Sequence, residues 1–83
     1  MNNDLSNTAE EELQHFHKII SKNVKRYREH NAMTQLDTAL DIGIKSVAFY
    51  SNCENNKNNK HFNVEHLYKL SKTFKVDIAE FFK

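Results

Sequence analysis

The chain has no proline, no tryptophan, a single glycine (Gly43) and a single cysteine (Cys53). Strands and hairpins need frequent turn punctuation, so this scarcity, beside plentiful Lys, Glu, Leu and Ala, predicts short helices and an all-α fold. One cysteine cannot form an internal disulfide, and no apolar run approaches the roughly 18 residues that a membrane span needs. The opening MNNDLSNTAEEEL lacks the basic, then apolar, then small-residue order of a secretory signal. A cytoplasmic location is the default expectation. No phosphate loop, nucleophile elbow or convincing carboxylate pair is present, so an enzyme is not expected. His15 and His17 are two apart and face different ways on a helix, while His30, His61 and His66 are scattered. They read as surface histidines, and no metal, cofactor or small-molecule ligand is expected. Cys53, between Asn52 and Glu54, reads as a small buried hydrophobe rather than a nucleophile.

What is present fits one compact domain: 83 residues, of which 39% are hydrophobic. The net charge of +1 hides an asymmetry. Asp4, Glu10, Glu11 and Glu12 give residues 1–14 a charge of −4 with no Lys or Arg, which leaves +5 on residues 15–83. Residues 1–12 are expected to be a flexible acidic leader, polar and Asn-rich at its start, and residues 13–83 the folded body. The leader either frays or shields the basic body. A moderately basic body suits phosphate contact through a local patch, although such a charge is common on small helical domains.

From residue 13 the apolar residues fall into helical sets. Leu13, Phe16, Ile20, Val24 and Tyr27 recur at spacings of three or four, which predicts a core-facing stripe on a long first helix ending near His30 or Asn31. Thr34-Gln35-Leu36-Asp37 opens a short second helix with a weak capping box. Gly43 stops it in the left-handed conformation that glycine tolerates. Ser46 is the expected N-cap of a third helix, Val47 to Glu54, and two short helices joined by a Gly-containing turn make a helix-turn-helix. The apolar-free stretch 55–61 is a loop. Asn63 caps a fourth helix with Val64, Leu67, Leu70, Ser71 and Phe74 on its apolar face, and Asp77 to Glu80 reads as a capping box opening a fifth.

The third helix has two faces. At about 100° per residue, Phe49, Tyr50 and Cys53 cluster on one side, and Ala48, Ser51, Asn52 and Asn55 lie on the other. That second face carries small or amide side chains and no charge before Glu54. Asn can pair with the N6 and N7 edge of adenine and small residues can meet a thymine methyl, which suits a helix entering a major groove. An ordinary surface helix could carry the same residues; the flanks weigh against that, with Lys45 before the helix, Lys57 and Lys60 after it, and Gln35 at the free N–H end of the preceding helix.

The fragments VKRYREHNAMTQ, TQLDTALDIGIKS, FYSNCENNK and HLYKLSKTFKVDIAEFF together resemble the phage-repressor and Cro-type (xenobiotic-response-element type) helix-turn-helix family over about residues 18–82. The resemblance implies a five-helix, lambda-repressor-like domain that binds double-stranded DNA as a homodimer, with its third helix in the major groove. It implies that Gln35 and Asn55 hold phosphates and that Val47, Ala48, Ser51 and Asn52 read bases, with Lys45, Ser46 and Lys57 beside them. It also implies a structural ion pair between Arg28 and Glu54. Three departures stand out: Thr38 replaces an inward Leu, the turn from Gly43 to Ser46 is one residue longer than the commonest spacing, and Asn56 replaces a Gly. Phe81 and Phe82 read either as a core cap with an exposed dimer contact or as a pair tucked under the fourth helix. A small transcriptional regulator, a repressor, too short for a small-molecule sensing domain, is the leading expectation; an antitoxin-like partner or interaction module with weak or no DNA binding is the rival.

Overall fold

The computed structural model describes the backbone of residues 3–83 and the side chains of residues 9–83. Four α-helices follow in order, α1 (Asn3–His30), α2 (Gln35–Asp41), α3 (Val47–Asn55) and α4 (Val64–Phe74), and the chain closes with a 3₁₀ turn, Ile78–Phe82. The fold class is all-α. The expected fifth helix is this single 3₁₀ turn, and its cap differs from the one expected. Asp77 accepts from the Ala79 N–H at 2.9 Å, but Glu80 does not reach back; its carboxylate accepts from the Tyr27 hydroxyl and from Lys83. The expected capping box is therefore only half made.

Each α-helix ends in the same way. A residue at or just past the cap is left-handed, its N–H bonds back three residues, and the next N–H bonds back five, which is the Schellman arrangement. Ala32 and Met33 close α1 on Glu29 and Arg28, Gly43 and Ile44 close α2 on Leu40 and Ala39, Asn56 and Lys57 close α3 on Cys53 and Asn52, and Lys75 and Val76 close α4 on Lys72 and Ser71. Only one of these four left-handed positions is a glycine.

The core is formed by Ile20 and Val24 of α1, Ala39 of α2, Tyr50 and Cys53 of α3, Leu67, Leu70 and Phe74 of α4, and Ile42, Phe62 and Phe81 from the connections and the last turn. Of the two terminal phenylalanines Phe81 is the core cap, fully buried and packed edge-on to Tyr27 and Phe74, with its carbonyl accepting from Asn23 Nδ2 at 3.0 Å, while Phe82 is 41% exposed. Two further expectations need correction. Val64, at the first position of α4, lies beyond the core rim and is exposed. Leu13 and Phe16 do not reach the core either, because α1 starts at Asn3, inside the segment read as a leader, and outruns the other helices. At 1.5 Å per residue its 28 residues span about 42 Å of the molecule's 47 Å long axis.

Candidate nucleic-acid interface

The interface is built from two capped helices and the turn between them. Thr34 Oγ1 accepts from the Asp37 N–H at 3.0 Å, and the Thr34 N–H donates to Asp37 Oδ2, so α2 opens on a reciprocal box. Thr38 fills its inward position without Leu: it is completely buried and its hydroxyl donates to the Thr34 carbonyl at 2.9 Å. The longer turn passes through Gly43, at φ +82°, and Ile44, whose N–H donates to the Ala39 carbonyl at 2.8 Å, and reaches an extended Ser46. Ser46 Oγ then accepts from the Phe49 N–H at 3.1 Å and starts α3 at Val47.

Helix α3 turns Tyr50, Cys53 and Glu54 inward and half-buries Phe49. Val47, Ala48 and Asn55 are exposed, and Ser51 and Asn52 are half-buried on the same outer side. Asn55 Nδ2 is turned back onto the Ser51 carbonyl at 2.9 Å, which leaves its own carbonyl outward, while the side chain of Asn52 makes no hydrogen bond among the described residues. Lys45 and Lys57 flank the helix, both exposed.

The orientation of α3 is set by one buried carboxylate. Arg28 of α1 grips Glu54 with two bonds, Nε to Oε2 and Nη2 to Oε1, each 2.9 Å, and its third nitrogen donates to the Met33 carbonyl. The Tyr50 hydroxyl donates to Glu54 Oε2 at 2.8 Å and Gln35 Nε2 to Oε1 at 3.1 Å. Burial alone would raise the Glu54 pKa, but the bonds from Arg28, Tyr50 and Gln35 together with the Arg28 charge hold it below the usual carboxylate range. Burial, and after it the Glu54 charge, pushes the Tyr50 phenol far up. Burial also pushes the Cys53 thiol up to about 11, against a small opposing effect of Lys60. A thiol so held is no nucleophile at neutral pH.

Gln35 and Tyr50 are participants that sequence reasoning did not assign to this cluster. Gln35 sits at the first position of α2, half-buried, and spends one N–H tying α2 to α3. Another contact joins His17 of α1 to His61 of the loop, whose rings stack at 3.7 Å. Two residues scattered in sequence carry no periodic signal for such a meeting. The loop between α3 and α4 is fixed by a turn in which Asn58 and Asn59 are both left-handed and the Lys60 N–H donates to the Lys57 carbonyl. Asn56 Oδ1 accepts from Ser21 Oγ and faces His61 Nδ1 at 3.1 Å. That loop is what fixes Lys57 beside the end of α3.

No helix among the described residues is long and apolar enough to cross a membrane. A helix-turn-helix family model matches residues 24–81, which takes in the last two turns of α1, all of α2 to α4 and most of the 3₁₀ turn. No curated protein and no solved structure matches the chain. With the capped α2–turn–α3 unit in place and most of the chain matched, the protein belongs to the Cro/C1-type, phage-repressor helix-turn-helix family of DNA-binding regulators.

Proposed function

We propose that the protein is a sequence-specific double-stranded DNA binder that acts as a small cytoplasmic transcriptional regulator, repressing by occupying its site with α3 in the major groove. The observation that carries this reading is the outer face of α3: Val47, Ala48, Ser51 and Asn52 present an uncharged, largely small surface on a helix that the Arg28–Glu54 pair holds rigidly. Asn52, with its amide uncommitted, is the adenine reader. Phosphates are held by Lys45, Lys57, the Asn55 carboxamide and the second N–H of Gln35, with Ser46 at the free N–H end of α3. The working form is a homodimer on a two-fold site, with no small-molecule effector and no catalytic step.

Titrating the protein against random-sequence duplex at two salt concentrations tests the reading. Binding at low salt that weakens as salt rises is expected. An absence of binding, or binding indifferent to salt, would sink it. A site selection followed by Asn52→Ala then tests specificity: loss of discrimination at one base pair is expected, and an equal loss on all sequences would make Asn52 a backbone contact. One observation favours a second reading, an interaction module or antitoxin-like partner: Leu36 and Leu40, one turn apart on α2, are both exposed. Failure to bind duplex at all would transfer the function to that face.

A further inference from the structure

The His17 and His61 rings lie plane on plane, with centroids 3.7 Å apart and 8° between the planes. Two imidazoliums so close repel, so the stack takes one proton rather than two. The surroundings decide which ring holds it. His61 Nδ1 faces Asn56 Oδ1 at 3.1 Å and its Nε2 faces Asn59 Oδ1 at 3.4 Å, so both ring nitrogens meet amide oxygens. A neutral imidazole has one N–H and donates to only one of them, whereas an imidazolium donates to both. His17 is the ring that stays neutral: burial, and after it the charge on His61, holds it below its usual 6.5.

No carboxylate among the described residues pairs with this cation. One turn from His17 along α1, Gln14 and Ser21 are uncharged, and Glu10 on the same face is two turns back, about 10 Å along the axis. Glu54 at the end of α3 is taken up by Arg28, and on α4 Glu65 pairs with Lys69. The charged neighbours in the chain are positive: Lys18 beside His17, and Lys57 and Lys60 in the loop, all exposed. A cation set among cations is best stabilised by an anion from outside. Asn56, which faces His61, sits between Asn55 and Lys57, the proposed phosphate contacts. A charge on His61 thus lies one side chain from both, where salt, with a screening length of about 8 Å, weakens it little.

We propose that duplex binding is linked to the uptake of one proton by His61. The inference rests on the DNA reading above and gives that site a response to pH. The proton passes from solvent to the ring nitrogen that is bare in the neutral form. The ring then donates to Asn56 and Asn59 together, fixes the loop that carries Lys57, and adds a positive charge beside the bound phosphate, with His17 as its neutral stacking partner. Affinity for duplex therefore rises as pH falls.

The test is the affinity of the full chain for random-sequence duplex at one low salt concentration, measured from about pH 8 to about pH 6, across the ordinary histidine range. The native protein should tighten by about three- to tenfold over that interval, and calorimetry in two buffers of different ionisation heat should show protons taken up on binding. His61→Gln, polar but never charged, should give a nearly flat profile at the weak end. His61→Arg, charged throughout, should give a nearly flat profile at the tight end. His15→Gln, on a different face of α1 from His17, should keep the native profile. Circular dichroism at each pH checks that the variants stay helical, and if His61→Gln does not, the His61→Arg profile decides. A flat native profile, or a native slope retained in either His61 variant, overturns the linkage while duplex binding stands. An absence of binding at every pH removes the DNA reading, and the linkage with it.

Discussion

Glu54 gathers four donor groups from three helices and the side chain is wholly buried, so its charge is tolerable only while Arg28 faces it. Arg28→Ala would leave an uncompensated carboxylate and should cost about 3 to 5 kcal/mol, measured by urea unfolding. The sequence resemblance implied the Arg28 and Glu54 partnership, but the roles of Gln35 and Tyr50 depend on how α2 and α3 pack and left no spacing to read. Thr38 gives the opposite case. Its hydroxyl bonds a carbonyl that already accepts from the Thr38 N–H, so Thr38→Val removes little and buries a methyl group. That substitution should be neutral or stabilising by up to about 1 kcal/mol, and a loss above that would mean the hydroxyl holds the start of α2.

Titration at single residues also sets the acid limit. His66 Nδ1 accepts from the Asn63 N–H in the cap of α4, and burial holds His66 below its usual 6.5. Burial, and after it the neighbouring His61, holds His17 down as well. A histidine whose folded pKa is depressed is neutral in the folded state while the unfolded chain takes up a proton, so its stabilising contribution is lost as pH falls through 6.5. Glu54, depressed from 4.5, gives up its contribution below that value. Unfolding free energy should therefore fall in two stages on acidification. His66→Asn, which keeps a short acceptor, should flatten the first, and an unchanged slope would place its origin elsewhere.

At the scale of the element, the helix ends explain both what was legible and what was not. The starts are marked by side chains: Thr34, Ser46, Asn63 and Asp77 all accept from a backbone N–H one turn in or less. The ends are marked by backbone conformation, and only Gly43 announces it by residue type. Ala32 and Lys75 adopt left-handed φ of 55° and 58° without the freedom of glycine or the local bonding of asparagine. Ala32→Gly and Lys75→Gly should each stabilise by up to about 1 kcal/mol, the relief of strain exceeding the added entropy of the unfolded chain. Asn56→Gly should not, because Asn56 Oδ1 holds Ser21 and His61. A melting series over the three variants separates these effects. The stripe on α1 was legible as a helix for the same reason that its burial was not: periodicity reports a face, but only the lengths of the neighbouring helices decide how far that face is covered.

For the whole molecule, the decisive quantity is how a body of +5 meets DNA when residues 1–14 bring −4. Each phosphate neutralised by a lysine releases counterion and contributes about −0.9 to the slope of log affinity against log salt. With Lys45 and Lys57 at the ends of α3, the slope for random duplex should be shallow for each copy, and Lys57→Ala should reduce its size by about one without changing which sequences are preferred. Asn52→Ala should do the reverse, leaving the slope and erasing a preference. These two outcomes are independent because phosphate contact supplies affinity on any sequence while base contact supplies the difference between sequences. If both substitutions change slope and preference together, α3 moves when either contact is lost, and the rigidity ascribed to the Glu54 cluster is not what holds the reading face in register.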